Sequence, residues 1–211
     1  APVDHGGQGL PFSLATVALD SLGAANMAFA LCPILTVGAI EALHHHGSAE
    51  QQQLLHQVLS GDLILSHAVA EANGRWTPES IKLEGRVEGN GLVLNGTKTF
   101  VGSYHASKQC MVVYREATAP HHLGVVLVST DASGLSSDAL VSMAKDGEAN
   151  VQFNNVRVPL SARVGTSDQG HPIALEVMDF SAVLYASMMA GAGRRTLDMA
   201  VAHAKQREAF G

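Results

Sequence analysis

The chain has 211 residues, enough for one or two domains with a sizeable core. Hydrophobic residues make up 46% and charged residues only 15%, below the usual level of about 25%, which points to extensive burial, including burial against other subunits. A formal net charge of −6 excludes a basic footprint for nucleic acid or an anionic membrane surface, and the two cysteines, Cys32 and Cys110, make no disulfide framework, so a reducing, cytoplasmic setting is expected.

The chain opens Ala1-Pro2-Val3-Asp4, without the basic start of a targeting signal. Its most apolar stretch, Ala24 to Ile40, is broken by Asn26 and Pro33. It is shorter than the roughly 20 residues of a membrane helix, so a buried helix is predicted and no membrane partner. Residues 13–60 predict helix, because Leu14, Val17, Ala18, Leu22, Leu31, Leu35, Val37 and Ile40 recur near helical spacing. Gly47-Ser48 reads as a stop followed by a new N-cap, and Ser60-Gly61 closes the helix that follows. From Leu63 the pattern changes to short apolar runs: Leu63-Ile64-Leu65, Ala68-Val69, Leu92-Val93-Leu94, Cys110 to Tyr114, Gly124 to Val128 and Val151-Gln152-Phe153. These predict strands, and Asn95-Gly96 reads as a hairpin turn. From Pro172 to Phe210 the helical period returns, as one long helix or two abutting ones. Gly191 and Gly193 sit inside it, where close helix–helix contact would explain glycine. The expected organisation is α+β: residues 1–62 as the end of a helical domain, 63–165 as a central β-barrel or sandwich, and 166–211 as the start of a C-terminal helical bundle. Both helical parts read as incomplete.

Histidine and glycine clusters along the chain point to no metal or dinucleotide site. Successive helix residues point about 100° apart, so His44-His45-His46 cannot all converge on one ion; a solvated helix end is predicted. His67 follows a strand-like run and could face a cofactor region, but a satisfied histidine of the β-domain is the prediction. Gly6-Gly7-Gln8-Gly9 follows no strand and is not a dinucleotide loop.

Five short motifs then fall in one order. Pro2-Val3-Asp4-His5-Gly6-Gly7-Gln8-Gly9-Leu10 resembles P-x-x-Y-G-G-x-G-L. Gly47 to Gln52 with Leu59-Ser60-Gly61-Asp62 resembles G-x-x-E-Q-x and L-x-S-G-E/D. Leu94-Asn95-Gly96-Thr97-Lys98 matches L-N-G-T-K, and Phe153 to Pro159 resembles F-x-x-V-R-V-P. Arg195-Thr196-Leu197-Asp198 and Ala204 to Gly211 resemble A-L-D and A-x-x-R-x-x-F-G. In this order and spacing the chain resembles the middle portion of the acyl-CoA dehydrogenase family. The resemblance implies an FAD enzyme that oxidises an acyl-CoA thioester to the 2,3-enoyl thioester, as in the β-oxidation of fatty acids or sterol side chains. It implies electron-transfer flavoprotein or a similar acceptor as a partner. It also implies that the β-domain cradles the flavin, while the R-x-x-F-G helix end, here Arg207 and Phe210, serves the flavin of a neighbouring subunit.

The departures from the family pattern gather at the flavin. The T-E-P-x-x-G-S-D loop lines up with Ala70 to Thr77, so a threonine hydroxyl becomes Ala70 and the small Gly-Ser pair becomes Arg75-Trp76. W-I-T lines up with Phe100-Val101-Gly102: Phe100 retains a ring to stack, but Gly102 has no side chain to donate. Three lost polar contacts at roughly 1 kcal/mol each would weaken flavin binding by over 100-fold. Val69, Ala70, Phe100, Gly102, Arg207 and Phe210 are the cofactor candidates, and Met178, Asp179 and Trp76 the substrate candidates. The catalytic base is not assigned, because the position that supplies it on the long helix of some relatives reads Ser181, beside Ala182. The expectation is a subunit of a hetero-tetramer whose FAD is held mainly by a homologous partner chain. The alternatives are an active homotetramer with atypical flavin contacts and a non-enzymatic acyl-CoA-binding subunit.

Overall fold

The computed structural model describes residues 2–75, 77–143 and 147–208. Four helices open the chain: α1 (Phe12–Ala25), α2 (Met27–Leu31), α3 (Ile34–His46) and α4 (Ala49–Ser60). Their boundaries follow local chemistry. Asn26 ends α1 in an extended conformation and caps α2, its Oδ1 accepting from the Phe29 N–H at 3.1 Å. Ser48 and Gln51 form a reciprocal capping box at the start of α4, and Gly61 closes it in the left-handed region. Gln51 also ties α4 to the β-domain, since its buried Nε2 donates to the carbonyls of Ser161 (3.2 Å) and Arg163 (2.8 Å).

The strands are β1 (Leu65–Ala68), β2 (Glu84–Glu88), β3 (Gly91–Val101), β4 (Gln109–Glu116), β5 (Leu123–Ser129), β6 (Leu135–Ala139), β7 (Ala149–Pro159) and β8 (Arg163–Val164). They join one mixed sheet in the order β6-β7-β3-β2-β4-β5-β8, with β1 added parallel to β4. Alternate residues of β4 serve two cores. Met111 and Val113 pack with Leu43, Leu55, Ile173 and Val177 of the helices, whereas Cys110, Val112 and Tyr114 pack with Leu92, Leu94 and Phe153 on the other side. Burial on both faces explains why β4 reads as an unbroken apolar run.

The turn expected at Asn95-Gly96 lies elsewhere. The β2–β3 hairpin turns at Gly89-Asn90, with Gly89 at φ +60°, and Asn95-Gly96 lies inside β3. There the pairing Leu94 to Val156 and Gly96 to Phe153 sets two residues of β7 against Asn95, which is a β-bulge. Asn95 Oδ1 accepts from the Asn155 N–H at 2.9 Å. A side chain at Gly96 would meet Leu83 Cα at 2.7 Å. The local signal was a real demand for glycine, but long-range pairing gave it a different use.

The C-terminal segment is one helix, α5 (Gly170–Gln206), about 55 Å long at 1.5 Å per residue. It and the Met27–His46 span are long and apolar enough to cross a membrane by length and composition; both are partly buried on the cores here. α1 packs along α5, and the two glycines behave differently. A Cβ on Gly191 would stand 1.9 Å from the Asp20 carbonyl oxygen, whereas Gly193 is exposed with nothing within 4 Å. Gly191→Ala is therefore expected to destabilise the chain by about 1–3 kcal/mol through overpacking. Gly193→Ala is expected to stabilise it by up to about 1 kcal/mol through helix propensity. Urea unfolding of the two variants checks this, and equal signs would contradict the close α1–α5 approach. Beyond Arg195, Leu197, Met199 and Val201 of α5 are exposed.

Candidate functional site

A cavity of about 350 Å³ opens where the end of β1, the bulged end of β3 and the middle of α5 meet. His67, Val69 and Ala70 line it from the β1 side, Phe100 from β3, and Met178, Asp179, Ser181, Ala182 and Tyr185 from α5. Its size lies within the range of small-ligand sites. The folding brings together five residues singled out from the sequence: Val69, Ala70, Phe100, Met178 and Asp179.

The cavity wall at residues 69–71 is pinned to β3 by a buried polar network. Lys98, fully buried, donates from Nζ to the Val69 carbonyl at 3.0 Å and to Glu71 Oε1 at 2.9 Å. The Thr99 N–H donates to the Ala70 carbonyl at 2.9 Å. Glu71 accepts also from the N–H groups of Lys82 (2.7 Å) and Leu83 (2.9 Å), so its carboxylate closes the loop that follows β1. Burial pushes the Lys98 ammonium down to about 8, against the opposing pull of Glu71. It is thus still charged at neutral pH.

Phe100 owes its position to backbone strain. Between Lys98–Val151 and Val101–Ala149 the ladder slips, leaving Thr99 and Phe100 opposite Asn150 alone. Phe100 takes φ +52° and stays 60% exposed. A bulky aromatic residue in the left-handed region marks an arrangement that surrounding structure must hold. The bulge turns the ring out of the core and over the cavity.

His67 was expected to be satisfied within the β-domain, and it is not. It is 5% exposed, it lines the cavity, and its buried Nε2 has no hydrogen-bond partner. Burial first, and the Lys98 charge second, push its pKa down to about 4, so the ring is neutral at pH 7. Ser181 does not offer a free hydroxyl, because its Oγ donates to the Val177 carbonyl at 2.7 Å. Ala182 has no polar side chain. Neither position can take a proton from a substrate.

Gly102 does not reach the main cavity. It lines a smaller one of about 100 Å³, which shares Phe100 and Tyr185 with the first. Arg207 lies just past the C-terminus of α5, exposed. Asp179 and Arg207 are 28 positions apart along α5 and its cap, or about 42 Å at the helical rise. Trp76 and Phe210 lie outside the described residues. No Lys or Arg lines the main cavity among the described residues.

The sequence pattern offered a site-facing His67 only as the lesser reading, and did not reveal Tyr185 or the role of the Glu71–Lys98 pair. The signal available for the last was the spacing of Glu71 and Lys98 within two separate motifs, and only pairing of the strands joins them.

No protein-family model matches the chain. Among curated proteins, it is 26% identical over 225 residues to the mitochondrial short-chain specific acyl-CoA dehydrogenase of Rattus norvegicus, covering all of this chain and 53% of the relative. The chain thus spans about half the length of the curated relatives it matches. Among solved structures, butyryl-CoA dehydrogenase from Megasphaera elsdenii superposes with a TM-score of 0.90 at 19% identity, over 100% of this chain and 58% of that one. A glutaryl-CoA dehydrogenase from Mycobacterium smegmatis in complex with FADH2 superposes with a TM-score of 0.88 at 22% identity, over 98% of this chain and 54% of that one.

Proposed function

On the premise that this chain is the middle portion of an acyl-CoA dehydrogenase-fold protein, we propose that it takes part in FAD-dependent 2,3-dehydrogenation of an acyl-CoA thioester, at a flavin site shared with a homologous partner subunit. The observation that carries this reading is the separation of two kinds of group along α5. Among the described residues, the cavity offers an aromatic ring and a neutral imidazole but no lysine or arginine. The exposed Arg207, whose guanidinium suits bidentate pairing with a pyrophosphate, stands about 42 Å away along the helix. At that distance it does not reach the cavity of its own chain, which supports a role toward a neighbour.

The residues present fit a flavin ring in part. The unpartnered Nε2 of His67 can meet a polar edge atom of the ring, and Phe100 can lie against its face. Ala70 supplies no hydroxyl, and Gly102 supplies only backbone. Met178 and Asp179 face the same cavity from α5 and would border the acyl thioester. A bound flavin would supply the hydride acceptor of the oxidation. Ser181 and Ala182 offer no proton acceptor, so the base is assigned to neither of them. Electron-transfer flavoprotein or a similar acceptor completes the proposed set of partners. A second reading, an active homotetramer, draws support from the same His67 Nε2, which can replace one lost hydroxyl contact.

The test is the flavin absorbance per subunit of the full-length protein, expressed alone and beside a homologous partner chain. The expected result is a colourless lone chain and one flavin per pair in the complex. Arg207→Ala in the complex is expected to weaken flavin binding at least tenfold. One flavin per chain in a homo-oligomer would refute the need for a different partner chain and establish the homotetramer. Acyl-CoA binding by calorimetry with no flavin in any preparation would refute the dehydrogenase role.

A further inference from the structure

α3 ends in His44-His45-His46, and the turn of α5 carrying Glu176 packs against that end. His45 Nδ1 lies 2.5 Å from Glu176 Oε1, and His46 Nε2 lies 2.7 Å from Oε2. Adjacent helical side chains diverge by about 100°. The two imidazoles converge nevertheless, because His45 presents its near ring nitrogen and His46 its far one. The third donor comes from a different helix, 130 residues away in sequence. One ligand atom from each residue lies within 4.8 Å of the other two.

We propose that His45, His46 and Glu176 form a binding site for a divalent transition metal, zinc above all. Two imidazole nitrogens and one carboxylate are a complete protein donor set for tetrahedral zinc, with the fourth position left to water. Bonds of about 2.0–2.1 Å would set donor atoms about 3.3 Å apart. His45 and His46 contact different oxygens of Glu176; these two pairs need to open by less than about 1 Å, and the widest donor separation, at most 4.8 Å, to close by up to about 1.5 Å, to admit the ion through rotamer adjustment. Entry is not blocked: the side chains of His45, His46 and Glu176 are 46%, 27% and 24% exposed. Beside them, His44 and His45 line an open groove of about 760 Å³. The His44 ring lies 5.3 Å from that of His45, and its buried Nδ1 has no partner, so a further imidazole stands next to the site.

The site has a mechanical consequence. Glu176 precedes Asp179 by three residues, one turn of α5, so an ion held there fastens to α3 the part of α5 that walls the cavity. This inference does not depend on flavin chemistry, and its test does not involve flavin.

The full-length protein, free of any polyhistidine tag and stripped with chelator, would be titrated with Zn²⁺ by calorimetry and followed by thermal unfolding. The expected result is one high-affinity ion per chain and a rise in Tm of roughly 5–10 °C at hundredfold excess over Kd. Glu176→Gln and His46→Ala are each expected to weaken binding at least tenfold, while His105→Ala, outside the cluster, leaves it unchanged. Co²⁺ loading of the unaltered protein gives a readout independent of any variant, since a tetrahedral nitrogen–oxygen site produces strong visible d–d bands. Zinc affinity unaffected by both cluster variants, absence of binding at 100-fold molar excess, or a Co²⁺ spectrum of purely octahedral type would each overturn the proposal.

Discussion

Lys98→Ala is expected to destabilise the protein by about 3–5 kcal/mol, the range for removing one partner of a buried ion pair. Lys98 is fully buried and Glu71 is 5% exposed. Removing the ammonium leaves a buried carboxylate whose remaining partners are two backbone N–H groups, those of Lys82 and Leu83. It also frees the Val69 carbonyl. The double variant Glu71→Leu/Lys98→Met removes both charges and recovers only part of the loss. The N–H groups of Lys82 and Leu83 then stand without their acceptor, and a buried unpaired group costs about 1–3 kcal/mol. Urea midpoints at constant m-value measure both steps. A loss below 1 kcal/mol for Lys98→Ala would mean that water reaches the pair. The site suffers with the fold, because residues 69–71 form one wall of the cavity and hang on this network.

Acidification is expected to cost about 3 kcal/mol through His67 alone. Its folded pKa of about 4 lies below the ordinary value of 6.5. Between those values the unfolded chain binds a proton that the folded chain excludes. The contribution is therefore intact above pH 6.5, declines as pH falls toward 4, and is gone below it. Each pKa unit corresponds to about 1.4 kcal/mol. Other groups respond in the same direction: Asp20, Glu79, Glu88, Asp168 and Glu176 have lowered carboxyl pKa values and also lose stability in acid. The informative quantity is the difference between the unaltered protein and His67→Gln. The amide keeps polarity without titrating, so the variant is expected to show a shallower fall from pH 6.5 to 4. Parallel curves would mean that solvent reaches the imidazole and that its Nε2 does not face a closed cavity wall.

Much of the fold was legible because its signals are local. The N-cap at Ser48, the helix end at Gly61 and the apolar periodicity of α1, α3 and α5 are set by residues within four positions of each other. The same holds for the order of helical segment, sheet and helix. Val69, Ala70 and Phe100, chosen on the basis of short motifs, do share a cavity with Met178 and Asp179. At Asn95-Gly96 a local reading failed. The dipeptide favours a two-residue turn, yet its pairing with β7 makes it a bulge, and a register is decided across strands more than fifty residues apart.

The sequence by itself determined the stop and new start at Gly47-Ser48, the close at Gly61, and which segments are apolar enough to be buried. Tertiary structure alone decided what the polar residues face. His67 is an ordinary strand histidine until α5 closes a cavity over it. Lys98 is an ordinary lysine until β3 carries it under the loop bearing Glu71. His45 and His46 end a helix toward solvent until Glu176 arrives from another helix. The physical reason is one of range: helical propensity and capping act over a few residues, whereas desolvation and charge pairing depend on whatever chain the packing brings within a few ångströms.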